Sequence, residues 1–443
     1  MPTPLRGIEA LLEVLHAGGV RYIFGNPGTT ELPFNDALAS DPRFEYILAL
    51  QEVPLVAMAD GYALASGKLG VACVHIACGL GTAMGMLYNA HIEGSPLMLI
   101  AGQQDRRLRL GEPVLEGDLV SVVRPWTKWA VEVQRVEDVP SAVRRAAQIA
   151  QTPPTGPVFL SLPVDVQMEA AGDVDLSGPS IPDRRVRPPM EALSRAANVL
   201  AQAQRPAILA GSRVTECGGC EALAEVAERL GAPIYAECAT SHGRLPVSAA
   251  HPLYAGTLPL WIPDVRKILE QHDVVFVAGM NFLRLYLHHK PGNPVPPGVR
   301  IIHLDCNPGE IGKNYPVEIG LVGDLHAGLA ELAGLVESRL DETRKRASDA
   351  VIEQGAQRRR EMQSQLWAEI DSQRDMTPMS PLTLMGTLAR ALPAGTAVVD
   401  EAVTTNQNVF ERTGVMVDPT LHIAHRGWAL GWGLGCALGV KLA

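Results

Sequence analysis

The stretch GNPGTTELPF, residues 25–34, directly follows the short apolar run YIF at residues 22–24. Its proline fixes one backbone angle, and its two glycines leave no side chain on the loop. A strand that ends in so stiff and bare a loop indicates that something approaches its backbone closely. In an open α/β sheet, ligands bind at the carboxyl ends of the strands. The alternative is a tight strand-to-helix turn with Thr29 or Thr30 as its N-cap.

Around this loop the chain alternates between strand-like runs such as EYILAL and VFLSLP and helix-like runs such as VPSAVRRAAQIAQ, which predicts parallel sheets covered by helices. A polar, proline-rich segment separates two such blocks, and a charged helical segment precedes the start of a third. We predict an N-terminal domain over 1–175, a central α/β domain over 188–341, a helical linker over 342–377 and an incomplete C-terminal domain over 378–443.

Composition limits the function classes. The 443 residues are 47% hydrophobic and 19% charged, which is ample for packed cores, and the net charge of −10 argues against nucleic-acid binding. The apolar start of the chain is interrupted by Glu9 and Glu13, so we expect a cytoplasmic protein without a signal peptide. Residues 69–92 carry no Asp, Glu, Lys or Arg, but a strand followed by a buried helix explains them better than a membrane span.

Cysteine usage points to the same compartment. The seven cysteines are scattered through apolar segments, as expected for reduced thiols. Cys217 and Cys220 form one CxxC, which is weak as a metal or redox motif without a second pair.

Two further side chains could carry chemistry. Glu52 stands between an apolar strand and a helix; it either complements the positive helix end or shares a proton with a bound base. His75 ends another apolar run, just before a glycine-rich turn, and is either a core residue or a site residue. The glycines of residues 79–85 are spaced GxGxxxG, which does not match the dinucleotide fingerprint.

Taken together, these segments resemble the thiamine-diphosphate-dependent decarboxylases and carboligases, in particular the benzoylformate decarboxylase type. The resemblance runs along the chain in order, through GNPGTTELPF, YILALQE, MADGYA, HIACGLGTAMG, LIAGQQ, PTGPVFLSLPVD, DCNPGEIGKNYP and GLGCALGVKLA. It implies successive open parallel-sheet domains with helices on both faces, in which a pyrimidine-binding domain and a partial diphosphate-binding domain flank a middle α/β domain.

The resemblance also implies a function, namely non-oxidative decarboxylation of a 2-keto acid by a lyase that uses thiamine diphosphate and Mg²⁺, through a cofactor ylid and an enamine. An acetolactate-synthase-like carboligase is the alternative within the class. A cofactor-free binding or assembly protein is the alternative outside it. We expect a homo-dimer or homo-tetramer, with each active site between the first domain of one subunit and the third of another, and no nucleic-acid or membrane partner.

Mapped by motif, Glu52 matches the glutamate that bonds the aminopyrimidine, and His75 matches a pocket histidine suited to proton transfer. Thr29 stands where the related enzymes have a serine, so the hydroxyl is kept. The loop residues expected to line the cofactor pocket are Asn26, Pro27 and Gly28.

The later blocks supply the remaining predicted site residues. His288 is our choice for a second pocket histidine, with Tyr286 and His289 as alternatives. Leu430 matches the bulky apolar residue that keeps the cofactor bent, and Trp428 replaces a small residue beside it. The other two residues expected to face the cofactor are Glu401 and Thr404.

The final segment carries one further expectation. In the family, a helix like GLGCALGVKLA is soon followed by a Gly-Asp-Gly motif and an asparagine that bind the metal and the diphosphate. We therefore expect these ligands beyond Ala443, and no decarboxylation by the 443 residues alone.

Overall fold

Parallel β-sheets with helices packed against them form the framework of the chain, as the alternating pattern predicts. The computed structural model describes residues 5–237, 243–285, 287–290 and 292–443. The chain divides into two compact units, of which unit 2 is Arg184–Arg426 and unit 1 is the chain up to Asp183 together with Gly427–Ala443.

The sheet of unit 1 has six parallel strands in the order β2-β1-β3-β4-β6-β5. Its strands are β1 (Tyr22–Gly25), β2 (Glu45–Leu48), β3 (Gly70–Val74), β4 (Leu97–Gln103), β5 (Trp129–Glu132) and β6 (Val158–Pro163). Its helices are α1 (Gly7–Ala17), α2 (Leu32–Ala39), α3 (Glu52–Ser66), α4 (Ala77–Glu93), α5 (Leu119–Val123), α6 (Val139–Gln151) and α7 (Val164–Met168). The central strands β3 and β4 are buried along their whole length, which explains their continuous apolar runs.

The sheet of unit 2 also has six parallel strands, in the order β12-β11-β10-β7-β8-β9. Its strands are β7 (Pro206–Ala210), β8 (Ile234–Ala236), β9 (Tyr254–Thr257), β10 (Val274–Ala278), β11 (Arg300–Asp305) and β12 (Ile319–Val322). Its helices are α8 (Met190–Gln202), α9 (Ser212–Glu216), α10 (Cys220–Leu230), α11 (Ile262–Leu269), α12 (Leu325–Glu337), α13 (Glu342–Ser372), α14 (Pro381–Ala391) and α15 (Val409–Thr413). A separate parallel pair joins β13 (Val398–Asp400) to β14 (His422–Ala424).

Helix α16 (Gly433–Leu442) closes the described chain and packs on α3 within unit 1. The contact depends on small residues, because a Cβ at Gly61 would overlap the backbone of Cys436, and one at Gly439 would overlap the carbonyl oxygen of Met58. The final segment, which the sequence predicts as part of a C-terminal domain over 378–443, thus belongs to unit 1 and packs on one of its helices. The four domain boundaries stay predictions.

One local prediction is wrong. The glycine-rich stretch after His75 is not a turn, because α4 runs without interruption from Ala77 to Glu93, through Gly79, Gly81 and Gly85. The glycines lower helix propensity, but tertiary packing of the helix outweighs that cost.

Candidate active site

The bare loop after β1 makes room for side chains of the protein itself. A Cβ at Gly25 would overlap the hydroxyl group of Tyr46, and a Cβ at Gly28 would overlap the imidazole ring of His75. The capping alternative is wrong. The loop leads into a 3₁₀ turn over Thr29–Glu31, and no threonine hydroxyl caps that turn or α2.

His75 lies directly beyond β3 and is held by a buried carboxylate. Its Nδ1 is 2.8 Å from Oε2 of Glu31, which also accepts a hydrogen bond from the backbone N–H of Gly28 at 3.0 Å. The other oxygen, Oε1, accepts from the N–H of Gly102 at 2.8 Å and from the hydroxyl of Thr30 at 2.7 Å. Since a carboxylate only accepts hydrogen bonds, Nδ1 of His75 carries a proton, and Nε2 remains as the ring atom that can exchange one.

Glu31 was not predicted as a site residue. Its carboxylate is 98% shielded from solvent, yet in the sequence it looks like an ordinary acidic residue at the start of a helix. The signal that could have identified it is the spacing from Gly28, since a Glu at the third position of a helix start reaches back to the backbone N–H before it.

Glu52 begins α3 and is held from two sides. Its Oε1 accepts a hydrogen bond from Nδ2 of Asn26 at 2.9 Å, and its Oε2 accepts one from the hydroxyl of Thr82 at 2.8 Å. Only 7% of the residue is exposed. A carboxylate has about four acceptor positions, and these two contacts leave capacity for a bound base.

Gly79 lies between the two candidate groups. A Cβ built on it would stand 2.8 Å from Oε1 of Glu52 and 3.1 Å from Cβ of His75. The structure therefore brings together, at the carboxyl edge of one sheet, the predicted residues Asn26, Gly28, Glu52 and His75. Pro27 and Thr29 of the same loop are exposed.

Trp428 and Leu430 flank a backbone segment that is fixed by α4. Asn89 is fully buried; its Nδ2 donates to the carbonyl of Ala429 at 2.9 Å, and its Oδ1 accepts from the N–H of the same residue at 3.0 Å. Trp428 has a left-handed backbone with φ of 66°. Leu430 is 67% exposed, as an apolar side chain offered to a ligand would be. Asn89 is a second residue that the sequence analysis did not place near the site.

Behind this segment, Trp432 and Asp60 form a buried pair. Nε1 of Trp432 donates to Oδ2 of Asp60 at 2.7 Å, and both residues are fully buried. Burial raises the pKa of Asp60 to about 7. The charge of Glu93 raises this pKa further, while Ser95 and Trp432 lower it.

Unit 2 carries the other predicted residues. Glu401 follows β13 and is half-buried, and the exposed Thr404 lines a cavity of about 360 Å³ together with residues 257–260. His288 is exposed on the loop after β10, as is His289, whose ring lies 5.4 Å from that of Trp261. Tyr286 falls outside the described residues. The roles given to these residues stay predictions.

The described residues lack two features, a membrane-spanning helix and a clustered metal site. None of their helices combines the length and apolar character that crossing a membrane requires. No group of three or more His, Cys, Asp or Glu side chains is arranged there to hold a metal ion.

A parallel α/β sheet whose carboxyl edge carries an oriented glutamate and a carboxylate-bound histidine defines a ligand-binding protein of the doubly wound class. Comparison with known proteins makes this specific. Residues 5–121 match the family described as "Thiamine pyrophosphate enzyme, N-terminal TPP binding domain", and residues 193–332 match "Thiamine pyrophosphate enzyme, central domain".

Individual proteins with names typical of this family are also similar to the chain. The benzoylformate decarboxylase of Pseudomonas aeruginosa is 35% identical over 73% of this chain and 61% of its own length. The acetolactate synthase large subunit of Haemophilus influenzae is 28% identical over 99% of this chain and 75% of its own length. The crystal structure of a putative thiamin diphosphate-dependent enzyme from Mycobacterium smegmatis has a TM-score of 0.84 at 30% identity, over 99% of this chain and 80% of that one.

The chain therefore belongs to the thiamine-diphosphate-dependent enzymes, which confirms the recognised family and the fold class. It spans 61% of the length of the Pseudomonas relative and 56% of that of a probable acetolactate synthase large subunit from Methanocaldococcus jannaschii.

Proposed function

We propose that this protein takes part in the thiamine-diphosphate-dependent, non-oxidative decarboxylation of a 2-keto acid. The observation that carries the proposal is the packing of Glu52 and His75 on either side of Gly79, at the sheet edge where ligands of this fold class bind. The similarity to benzoylformate decarboxylases from Pseudomonas aeruginosa and, in a crystal structure with a TM-score of 0.85, from Polynucleobacter necessarius supports this reaction.

The residues of unit 1 suit the aminopyrimidine part of the cofactor. Glu52 is oriented by Asn26 and Thr82 and retains acceptor positions, so it can hold the proton of a nitrogen base. Thiamine diphosphate, when bound, supplies the electron sink that decarboxylation requires. The protein contributes the position of the carboxylate and its partly buried surroundings, in which a shared proton is held more firmly than in water.

His75 is suited to moving a proton on the substrate side of the site. Because Glu31 fixes Nδ1, the Nε2 atom is presented in one orientation, and an imidazole transfers protons efficiently near neutral pH. Thr29, exposed on the same loop, offers a hydroxyl for the substrate carboxylate. Magnesium and a homo-oligomeric state belong to the same proposal and rest on the family alone. The proposed cytoplasmic location rests on Glu9 and Glu13 near the start of the chain and on the scattered cysteines.

An acetolactate-synthase-like carboligase is the second candidate, favoured by the Haemophilus relative that aligns with 99% of this chain. The two candidates differ in their product. A decarboxylase releases an aldehyde and carbon dioxide, whereas a carboligase joins the decarboxylated fragment to a second keto acid. Product analysis with benzoylformate and with pyruvate distinguishes them.

Glu52→Gln gives a matched test. The hydroxyl of Thr82 lies 2.8 Å from Oε2 of Glu52 and 2.9 Å from the carbonyl of Gly79, so its single proton can turn to the carbonyl and its oxygen can accept from the new amide. The fold should therefore survive the change. Glu45→Gln, on the exposed strand end, is the control.

We expect the variant to melt within about 1 °C of the parent, because its hydrogen bonds are kept, while cofactor-dependent turnover falls about a hundredfold. Calorimetric titration with thiamine diphosphate and magnesium supplies a readout that does not require turnover. Both the 443 residues and any in-frame extension of the coding sequence should be assayed. Equal turnover of the Glu52→Gln and Glu45→Gln variants would refute the role of Glu52, and no cofactor binding by either form would favour a binding or assembly protein.

A further inference from the structure

The side-chain amide of Asn89 pairs with both polar backbone groups of one residue in the final segment. Asn89 is fully buried in α4; its Nδ2 donates to the carbonyl of Ala429 at 2.9 Å, and its Oδ1 accepts from the N–H of Ala429 at 3.0 Å. Ala429 lies outside the helices and strands of the described chain, so these bonds stand in for those that regular structure would supply. Two bonds from one planar amide fix both the place and the orientation of this backbone on α4.

The backbone around Ala429 lies directly on α4. A Cβ at Gly427 would stand 2.3 Å from Oδ1 of Asn89 and 2.8 Å from its Cα, so only glycine fits there. A Cβ at Gly85 would stand 3.7 Å from that of Ala429, which is ordinary contact. Trp428 has a left-handed backbone with φ of 66°, a conformation that is unfavourable for a residue with a Cβ and persists only where the surroundings hold it.

The segment fixed in this way lies beside Glu52. A Cβ at Gly431 would stand 3.7 Å from Cγ1 of Val53, the residue that follows Glu52. Glu52 is itself tied to α4, because its Oε2 accepts a hydrogen bond from the hydroxyl of Thr82 at 2.8 Å. Asn89 follows Thr82 by two helical turns on the same face of α4. One helix therefore holds both the carboxylate and the final segment.

Two apolar side chains project from this segment. Leu430 is 67% exposed and Trp428 is 37% exposed, although the backbone between them is held by Asn89. Trp432 is fully buried and donates to Asp60 at 2.7 Å, so the backbone is fixed on both sides of Leu430. Apolar side chains on a backbone held this firmly form a preset surface, since little ordering remains for a ligand to impose.

We propose that Asn89 is a positioning residue, which acts through the backbone of Ala429 to hold the side chain of Leu430 in one place for bound thiamine diphosphate. This role rests on the proposed function, which supplies the ligand. It adds a fully buried amide, which cannot itself reach the ligand, to the residues on which binding depends.

Hydrogen exchange of the unliganded 443-residue chain tests the positioning itself. In Asn89→Asp the second oxygen faces the carbonyl of Ala429 without a proton to donate, and in Asn89→Ala both bonds are lost. We expect the peptide covering 427–432 to exchange about tenfold faster or more in either variant, since the loss of one hydrogen bond corresponds to about that factor. Circular dichroism checks that the variants fold, and either folded variant suffices.

Val143→Ala is the matched control. Val143 lies on the buried face of α6, in the core of unit 1, and its truncation removes two buried methyl groups. This variant should be less stable than the parent, but exchange of the 427–432 peptide should be unchanged.

Calorimetric titration with thiamine diphosphate and magnesium, of the 443 residues and of any in-frame extension, tests what the position is for. We expect the dissociation constant to rise about tenfold in Asn89→Asp and in Leu430→Ala. The double variant should bind no more weakly than the weaker of the two single variants, because both changes remove the same contact. Val143→Ala should bind as the parent does.

Three results would overturn the role of Asn89. They are unchanged exchange of the 427–432 peptide in both Asn89 variants, losses of binding that add in the double variant, and an equal loss of binding in Val143→Ala. A parent that binds no cofactor in either form would instead refute the proposed function. The ligand named for Leu430 would then be wrong, while the exchange experiment would still decide whether Asn89 holds the segment.

Discussion

Asp60→Asn should change how the stability of unit 1 depends on pH. Asp60 is fully buried, and Oδ2 accepts the indole N–H of Trp432 at 2.7 Å. Burial raises the pKa of this carboxyl group from 3.8 to about 7. Asparagine has nearly the same shape and offers a carbonyl oxygen to the same indole, but it does not titrate.

Whether the free energy of unfolding rises or falls with pH depends on which state, folded or unfolded, binds the proton of Asp60 more tightly. Below pH 4 the carboxyl group is protonated in both the folded and the unfolded chain, and its contribution to stability is complete. Between pH 4 and 7 the unfolded chain has lost this proton while the folded chain still holds it, so the free energy of unfolding falls by about 1.4 kcal/mol per pH unit. A pKa difference from 3.8 to about 7 corresponds to about 4 kcal/mol in all.

The assay is calorimetric unfolding of the parent and the Asp60→Asn variant at half-unit steps from pH 4.5 to 8. The melting temperature of the parent, minus that of the variant, should decrease steadily with rising pH and level off near pH 7. Asp173→Asn, an exposed position of the same unit, is the control and should follow the parent at every pH. A difference that stays constant over this range would refute the assignment of Asp60 as a carboxyl group that stays protonated in the fold.

Two further predictions concern the loop and the histidine. Gly28→Ala should displace the ring of His75 and lower the free energy of unfolding by about 1–3 kcal/mol, measured by urea denaturation. Gly81→Ala should be neutral or stabilising, because a Cβ at Gly81 meets no atom within 4 Å. Equal effects of the two substitutions would contradict this packing. In Glu31→Gln, one carboxylate oxygen becomes an amide N–H donor that faces two other donors, so the free energy of unfolding should fall by about 1–3 kcal/mol. The tautomer of His75 should also change, which ¹⁵N NMR reports. An unchanged ring spectrum would contradict the orienting role of Glu31.

The strands and helices that the sequence predicted well are those whose patterns are local. The run VPSAVRRAAQIAQ is helix α6 with the same bounds, since its apolar residues recur at helical spacing. The strand β5 was missed because Trp129–Glu132 is a four-residue, half-buried edge strand whose apolar run is only three residues long. Helix α4 was divided at its glycines because propensity alone favours a break there, while its packing is decided by residues far away in the sequence.

The same distinction between local and distant signals separates the candidate-site residues that were predicted from those that were not. Glu52 and His75 were found because each follows an apolar run that ends at the carboxyl edge of a sheet. Glu31 was not, because two of its hydrogen-bond partners, the ring of His75 and the N–H of Gly102, are 44 and 71 residues away and are brought near only by the fold. Asn89 was likewise hidden in an apolar helix, and its backbone partner is 340 residues distant.

Gly79 belongs both to the stretch that was wrongly predicted to be a turn and to the candidate site. The glycine was expected to break the chain between strand and helix, yet it lies in the first turn of α4 with Glu52 on one side and His75 on the other. Any side chain there would stand 2.8 Å from the Glu52 carboxylate, closer than ordinary packing allows, and would push the two groups apart. The glycine therefore sets the spacing between the Glu52 carboxylate and the His75 imidazole, for which we propose proton-holding and proton-transferring roles. Gly79 is needed because it lets the side chains of Glu52 and His75 approach each other, not because the backbone there needs unusual dihedral angles.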